Sequence, residues 1–339
     1  MVGTGFRELE LIPEAQCLRV LYSTDRKPTG NLGEPRKFFG VERNVVEGRG
    51  ELSFGSSMVC LPKDRSLARL MKIDPLDETS FFAELTDQLK KPGSEALLFI
   101  HGYNVGFAEA AERAAQLAVE LDFQGVPIVY SWPSRRKWAR YCADEATVGW
   151  STKHFKDFLL RLLEACVEGK IHLIAHSMGN RALVQALDDL HDQSDACGSK
   201  LRQVVFAAPD VDRDTFVELV RNFSTDAERL TLYGSSKDLA IKASKIFHLY
   251  HRAGEAGKAM TLVKGVDSID ATKAETDLLG HSYYCRPSIL EDLSELVVEG
   301  TAPAHREGLI PNRKWPYWIY DPAKARSTSP SQEGEKFTT

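Results

Sequence analysis

The chain has 339 residues, 43% hydrophobic and 27% charged, which is the composition of an ordinary globular protein able to bury a large core. Its formal net charge of -5 provides no broad basic surface, which argues against binding of nucleic acid or anionic lipid through bulk charge. We therefore expect a small molecule or another protein as the partner.

The N-terminal segment and the cysteines bear on the cellular location of the protein. The segment "MVGTGFRELELIPEAQ" lacks the long apolar region of a signal peptide, and no later stretch is long and apolar enough to span a membrane. The cysteines form no C-x-x-C pair, and several fall in apolar runs, as free buried thiols do. These features predict a cytoplasmic protein without a membrane span. The cysteines are Cys17, Cys60, Cys142, Cys166, Cys197 and Cys285.

The first half of the chain changes its pattern at about Ala96. Before it, "CLRVLYSTDR" and "SSMVCLPKD" have the composition of strands and predict an antiparallel edge of a sheet, with Asp25 and Arg26 in a turn. After it, strands alternate with helices. "ALLFI" precedes a helix with apolar residues from Phe107 to Leu121, and "VPIVYSW" precedes the loop "SWPSRRKWARYCADE" and a helix ending near Cys166.

The alternation continues through "IHLIA", "QVVFAAPD", "RLTLYGSSKD" and "AMTLV", whose strands we expect to end near Ala175, Ala208, Gly234 and Val263. Continuous apolar strands joined by helices favour a mostly parallel central sheet with helices on both faces, an α/β fold. The aromatic stretch "KWPYWIY" is expected to pack on this body. We predict an N-terminal extension over residues 1–15, a single domain over 16–322 and a polar, disordered tail over 323–339.

The stretch "AHSMGN" lies between a strand pattern and a helix pattern, where a nucleophilic serine would lie in a sharp turn. Ala175 and Gly179, two residues to either side of Ser177, are small, as a tight reversal of the chain requires. A serine at the start of a helix also serves as an N-cap, so the motif alone does not decide its role.

Residues for the other catalytic roles follow in the order serine, acid, histidine that is typical of α/β-hydrolases. Asp238 follows a strand at the carboxyl edge of the sheet, and His281 lies in the loop "LLGHSYY". Asp210 and Asp212 are the alternative acids, although both also suit the start of a helix. His248 and His251 are expected to be packing or surface residues.

The backbone amides of Met178 and Tyr103 are the predicted oxyanion hole, because they follow the nucleophile and the earlier strand "LLFI". His101 is expected to brace this turn, and Gly102 to let the backbone approach the substrate. Trp132 and Tyr283 are candidates for substrate binding, although Trp132 could equally be tucked into the core.

Other kinds of site are not indicated. His172 and His176 are four residues apart, but they flank a strand end and no H-E-x-x-H helix is present, so we expect no metal. The glycines of "GTG" and "GRGELSFG" lack the strand-to-helix context of a phosphate loop. We expect no cofactor.

The motifs around these residues resemble a bacterial α/β-hydrolase family, domain of unknown function 900. The resemblance rests on "LLFIHGYNVGFAEAAERAAQLA", "VYSWPS", "HLIAHSMGNRAL", "AAPDVD", "LYGSSKDLAI" and "GHSYY", and runs from about Val20 to the helix after His281. It implies an α/β-hydrolase fold with Ser177, Asp238 and His281 as nucleophile, acid and base. It implies no substrate.

Together these features predict a carboxylesterase- or lipase-like serine hydrolase, which cleaves a carboxylic ester or related acyl bond of a small molecule through an acyl-enzyme. A thioesterase, an amidase or an acyltransferase would use the same triad. The alternative from another class is a non-catalytic interaction module that keeps the fold and docks through "WPYWIY". The oligomeric state stays open.

Overall fold

A computed structural model of the protein describes residues 15–62, 67–91, 93–135, 141–166, 170–191, 200–274, 281 and 286–325. Its strands, in chain order, are β1 (Gln16–Thr24), β2 (Arg26–Pro28), β3 (Phe39–Arg43), β4 (Val45–Val46), β5 (Arg49–Gly50), β6 (Ser53–Leu61), β7 (Arg69–Leu76), β8 (Glu95–Ile100), β9 (Val126–Ser131), β10 (Lys170–His176), β11 (Leu201–Ala207), β12 (Ala227–Gly234), β13 (Val266–Asp270), β14 (Leu309–Pro311) and β15 (Trp318–Tyr320). Its helices are α1 (Glu78–Leu89), α2 (Phe107–Glu120), α3 (Tyr141–Ala165), α4 (Gly179–His191), α5 (Arg213–Phe223), α6 (Leu239–His248), α7 (Pro287–Val297) and α8 (Pro322–Ala325).

One large sheet organises the described part of the chain, with the strand order β14-β15-β13-β12-β11-β10-β8-β9-β1-β6-β7. The strands from β1 to β15 in this order run parallel to their neighbours. β6 and β7 add an antiparallel edge after β1, and β14 closes the other edge antiparallel to β15. The predicted α/β-hydrolase fold, with its antiparallel N-terminal edge, is therefore confirmed.

The sheet separates two apolar cores because successive side chains of a strand point to opposite faces. In β8, Leu98 and Ile100 pack into one core with residues of α1, α3, α4 and α5, such as Phe158. Leu97 and Phe99 of the same strand pack into the other core with residues of α2 and α7. Both faces of the sheet are thus covered by helices, so its strands can be apolar along their whole length.

Of two segments predicted late in the chain, one differs from the prediction and the other agrees with it. "AMTLV" is not a strand: it follows a short 3-10 turn at Gly257–Ala259, and the strand β13 begins later, at Val266. Met260 and Val263 of this run are buried as loop residues, which accounts for its apolar composition. The Thr261 hydroxyl between them donates to the Ala253 carbonyl. The aromatic stretch does pack on the body, where its Trp318–Tyr320 segment becomes β15.

The predicted loop after Trp132 is shorter than expected. Helix α3 begins at Tyr141, so "YCADE" belongs to the helix, while residues 136–140 lie outside the described residues. No cap domain intervenes after β11, since α5 begins at Arg213. Among the described residues, no helix has both the length and the apolar character needed to span a membrane.

The cysteines differ in part from the prediction of free thiols. Cys17 of β1 and Cys60 of β6 stand directly opposite each other and form a disulfide. Of the others, Cys142 is an exposed free thiol and Cys166 is a buried one, and burial raises the pKa of Cys166 to about 12. Cys197 and Cys285 lie outside the described residues. The prediction of free thiols is therefore wrong for Cys17 and Cys60, and these two cysteines do not support the cytoplasmic location that was inferred in part from it.

Candidate active site

The turn between β10 and α4 holds Ser177 in a left-handed backbone conformation, with φ 53°. This conformation costs a residue with a side chain roughly 1–2 kcal/mol, so neighbouring contacts must impose it. The Ser177 amide donates to the Ala207 carbonyl at 2.9 Å, and the Ser177 carbonyl accepts from the amides of Asn180 and Asp210 at 3.1 and 3.2 Å. Hydrogen bonds from the neighbouring strand end and from the start of α4 thus keep the serine at the apex of the turn.

Asn180 is a structural residue of this turn that sequence analysis passed over. Its side-chain amide lies within hydrogen-bond distance of three carbonyl oxygens, those of Ala175, Ser177 and Ala207, at 3.0–3.3 Å. Asn180 is fully buried. It therefore ties the end of β10, the turn and the end of β11 together. The only local signal was the polar residue itself, directly after "SMG" in the sequence.

Close backbone approach explains two glycines around Ser177. A Cβ on Gly179 would lie 2.5 Å from the His101 carbonyl oxygen, and a Cβ on Gly102 would lie 2.8 Å from Ser177 Cβ. Neither distance is possible without a shift of the backbone or of Ser177. The "HGYN" loop after β8 therefore lies directly against the serine, which brings the predicted amide donor at Tyr103 into its neighbourhood.

Asp238 and His281 meet at the same edge of the sheet, although they are 43 residues apart in the chain. Asp238 follows β12 and is fully buried, and its Oδ2 lies 2.7 Å from Nδ1 of His281. Its Oδ1 accepts from the Ile241 amide at 2.9 Å, so the same carboxylate is the N-cap of α6. A proton on Nδ1 of His281 is favoured by this carboxylate, which leaves Nε2 able to accept one.

His176 links His281 to the turn that carries Ser177. The rings of His176 and His281 lie 4.7 Å apart between centroids, and Nε2 of His176 lies 3.3 Å from the His281 carbonyl oxygen. Since His176 immediately precedes Ser177, the histidine loop lies beside the turn. Ser177 is 4% exposed, and its hydroxyl forms no hydrogen bond with His281 among the residues that the structure describes.

A buried charge braces the "HGYN" loop. The sequence suggested a turn at Arg26, but its side chain is fully buried, and its guanidinium donates to the carbonyls of Val105 and Gly40 and to the Ser131 hydroxyl at 2.8–3.2 Å. Its Nη2 also lies 3.3 Å from Nε2 of His101. Arg26 thus joins the loop after β8 to the ends of β1 and β9.

His101 is a neutral brace in this arrangement, as predicted. It is 1% exposed, and burial together with the charge of Arg26 lowers its pKa to about 3. Because the Arg26 guanidinium can only donate, Nε2 of His101 accepts, and the proton lies on Nδ1, 2.7 Å from the Gly102 carbonyl. The imidazole therefore fixes the carbonyl of the residue that touches Ser177.

A second support holds Asn104, two residues after Gly102 in the same loop. Asn104 has a left-handed backbone, and its amide donates to the Ser134 hydroxyl at 2.9 Å. That hydroxyl donates to Asp144 at 2.5 Å, which also accepts from the Arg135 amide. Burial raises the pKa of Asp144 above its ordinary value, although these hydrogen bonds act in the opposite direction.

The alternative acids have other partners. Asp210 is buried, and it accepts from Arg252 at 2.9 Å, from Ser244 at 2.6 Å and from the hydroxyl of Tyr141. Burial would raise its pKa, but Arg181 and Arg252 outweigh burial and hold the pKa below its ordinary value. This network joins α3 and α6 to the turn that carries Ser177.

Asp212 has the helix-start role that its sequence position suggested: its Oδ1 accepts from the amides of Asp214 and Thr215 as the N-cap of α5. His248 ends α6 and lies 3.2 Å from Glu145, and His251 lies 2.8 Å from Glu255. Neither histidine contacts Asp238 in the hydrogen bonds of the described residues.

The two candidates for substrate binding differ in what the structure says of them. Trp132 is fully buried, its indole N–H donates to the His101 carbonyl at 2.8 Å, and its ring stacks on His101. The core position, which was the alternative for this residue, is therefore the observed one. Tyr283 lies outside the described residues. Within the described residues, no group of three or more metal-ligating side chains is placed to hold a metal ion.

Comparison with known proteins matches the sequence to a family and finds similarity to solved structures. The sequence profile of the family described as "Alpha/beta hydrolase of unknown function (DUF900)" matches residues 77–298. A search of curated proteins gave no match. Among solved structures, Est1E from Butyrivibrio proteoclasticus is 12% identical with a TM-score of 0.38, and the alignment covers 75% of this chain and 96% of that one. Pyrococcus horikoshii acylaminoacyl peptidase is 13% identical with a TM-score of 0.37, and the alignment covers 72% of this chain and 47% of that one.

Replacement of Gly102 by alanine is expected to destabilise the fold, because the new Cβ would collide with Ser177 Cβ at 2.8 Å and with the His176 ring at 2.9 Å. Forced overpacking of this kind typically costs about 1–3 kcal/mol of unfolding free energy, measurable by urea denaturation. Gly149→Ala is the matched control, since a Cβ there meets nothing within 4 Å. Equal unfolding free energies for the two variants would contradict this packing.

Stability should also depend on pH through His101. Its folded-state pKa of about 3 lies below the ordinary value of 6.5, so below about pH 6.5 the unfolded chain binds a proton that the folded protein does not. The stability present above that pH is therefore lost progressively as the pH falls towards 3. In His101→Gln the unfolding free energy should fall less steeply between pH 7 and 4, by up to about 1.4 kcal/mol per pH unit.

The measurement is urea unfolding of both proteins at several pH values in that range. His305→Gln, which removes an exposed histidine, controls for the loss of a ring outside the core. Parallel pH profiles for wild type and His101→Gln would show that this imidazole is not held neutral.

Proposed function

The chain belongs to the α/β-hydrolase family of unknown function DUF900, and we propose that it is a serine hydrolase that cleaves a carboxylic ester or related acyl bond. The observation that carries the proposal is the 2.7 Å contact between the Asp238 carboxylate and Nδ1 of His281, beside a serine in a left-handed turn. This is the combination of an oriented base and an apical nucleophile that acyl transfer through a serine requires.

In the proposed mechanism, Ser177 Oγ attacks the carbonyl carbon of the substrate while Nε2 of His281 takes the hydroxyl proton. The Ser177–His281 hydrogen bond forms in the substrate complex, as catalytic hydrogen bonds often tighten only then. Asp238 stabilises the imidazolium through Nδ1. The imidazolium then protonates the leaving group, and an acyl-enzyme remains on Ser177. Water, activated by the same imidazole, attacks this ester and releases the acid.

The negative oxygen of the tetrahedral intermediate needs donors that are already in position. We propose the backbone amides of Met178 and Tyr103. Support comes from the approach of Gly102 to Ser177 and from the buried contacts of Arg26 and His101, which would hold the Tyr103 amide rigidly during the reaction. A rigid donor loses no energy to reorganisation when the charge develops.

An ester of a small molecule is the proposed substrate, without a cofactor. Thioesters and amides would use the same groups, and transfer of the acyl chain to an acceptor other than water would make the protein an acyltransferase. In the aromatic C-terminal segment, Trp315 is 55% exposed, but Tyr320 is 1% exposed and its strand pairs within the sheet. The end of the segment is therefore part of the fold, which gives limited support to a docking module. The cytoplasmic location stays a prediction from the N-terminal segment and the cysteines.

A fluorophosphonate probe tests the nucleophile. The wild-type protein should become covalently labelled and should turn over short chromogenic acyl esters, whereas Ser177→Ala should do neither, with turnover lowered by about 10³-fold or more. His281→Ala should lower turnover by a similar factor, because the triad acts as a unit. Absence of labelling and of turnover in the wild type, screened over several acyl-chain lengths and over thioesters, would favour the non-catalytic module.

The acid is tested by two substitutions that both keep a helix N-cap, since asparagine caps helices about as well as aspartate. Asp238→Asn should lower turnover severely because it removes the charge that orients and stabilises the His281 imidazolium. Asp212→Asn, the matched control on α5, should leave turnover near wild type. Severe loss in Asp210→Asn with tolerance of Asp238→Asn, measured on folded protein, would assign the acid to Asp210 instead.

A further inference from the structure

Helix α6 presents an apolar face to solvent directly after the acid Asp238. Its large exposed side chains, with their exposed fractions, are Leu239 (49%), Ile246 (76%) and Phe247 (60%), followed by Leu249 (86%) and Tyr250 (66%). Exposed Lys242 and Ala243 complete the stripe at helical spacing. We call this stripe the α6 face; its residues are Leu239, Lys242, Ala243, Ile246, Phe247 and Tyr250.

The pattern is the reverse of an ordinary surface helix, which buries its apolar side and exposes its polar side. In α6 the buried residues are Ile241 and Ser244, and Ser244 donates a hydrogen bond to the buried carboxylate of Asp210. The helix is thus held to the body partly through polar contacts. Its largest apolar side chains, Ile246 and Phe247, remain in water, and a clustered exposure of this kind marks an interaction surface.

The charge around the α6 face is positive. Lys237 and Lys242 are exposed, and neither forms an ion pair with a residue that the structure describes. Lys245, one turn further on, pairs with Glu255 at the inner side of the helix. Exposed lysines beside apolar side chains are found on helices that lie in the interface of an anionic bilayer, where the lysines meet phosphates and the apolar groups enter the acyl region.

We propose that the α6 face docks the protein on an anionic phospholipid surface. The overall charge of -5 does not oppose this, because lysine attraction to a membrane acts locally, within about a Debye length of 8 Å at physiological salt. A second copy of the chain is a poorer occupant. Symmetric pairing would place this face, with its exposed Lys237 and Lys242, against a face of the same charge.

The docked face lies next to the proposed site. Leu239 directly follows Asp238, and Ser244 of the same helix binds Asp210, whose amide donates to the Ser177 carbonyl. If the proposed function holds, substrates would therefore reach Ser177 from the bilayer, which selects amphiphilic esters with long acyl chains. The docking itself does not rest on that function and is tested without it.

The test measures binding to vesicles in a Ser177→Ala background, so that hydrolysis cannot alter the lipid. Co-sedimentation should be strong with vesicles of phosphatidylcholine and phosphatidylglycerol in a ratio of about 7 to 3, and weaker by about tenfold or more with phosphatidylcholine alone, given the attraction expected for two lysines. Ile246→Ser/Phe247→Ser should lower binding to the mixed vesicles by about tenfold or more, because both side chains lose their place in the acyl region.

Val45→Ser/Val46→Ser is the matched control, since it removes two exposed apolar side chains from a different element, β4. Lys237→Gln/Lys242→Gln should reduce the preference for anionic vesicles and leave the circular dichroism unchanged. Failure of the Ser177→Ala protein to bind mixed vesicles overturns the proposal, as does equal binding of the two serine double variants. A dimer that forms without lipid and dissociates in Ile246→Ser/Phe247→Ser would assign the face to a second copy.

Discussion

Backbone hydrogen bonds with Ala207, Asn180 and Asp210 hold Ser177 in a conformation that the residue alone would avoid. The position of the hydroxyl therefore depends on the parallel pairing of β10 with β11, which supplies the Ala207 carbonyl, and on the helix that starts two residues later. A flexible loop could not store this strain, because it would relax into the favoured region of backbone space. The packed cores on both faces of the sheet thus stabilise a turn in which Ser177 keeps an unfavourable backbone conformation.

Buried polar and charged groups around the turn also restrict how the neighbouring loops can be arranged. Arg26 is surrounded by carbonyl and hydroxyl acceptors, and His101 beside it stays neutral because burial and that charge both oppose its protonation. On the other side of the turn, the carboxylate of Asp210 is compensated by Arg181 and Arg252. Such groups are costly to bury unless they are all satisfied, so they permit few alternative arrangements of the loops. These polar contacts therefore restrict the loops of the site in addition to apolar packing.

Local sequence patterns predict much of this arrangement and miss the parts that depend on distant contacts. The alternation from β8 to β12, the turn at Ser177 and the meeting of Asp238 with His281 follow from apolar periodicity and from the chain order of the motifs. The burial of Arg26 could not be predicted, because its acceptors come from separate segments of the chain, and an arginine after "STD" looks like an ordinary turn residue. "AMTLV" misled the prediction because a buried loop and a buried strand have the same apolar composition, and only pairing separates them.

The double task of Asp238 has a mechanical consequence. One oxygen of its carboxylate accepts a hydrogen bond from the Ile241 amide in the first turn of α6, and the other contacts the imidazole of His281. The helix and the imidazole are therefore joined through one side chain. A displacement of the helix start would therefore be passed to the imidazole through this one side chain. If Asp238 and His281 act as proposed, the outer surface of α6 and the proton transfer at His281 are mechanically connected.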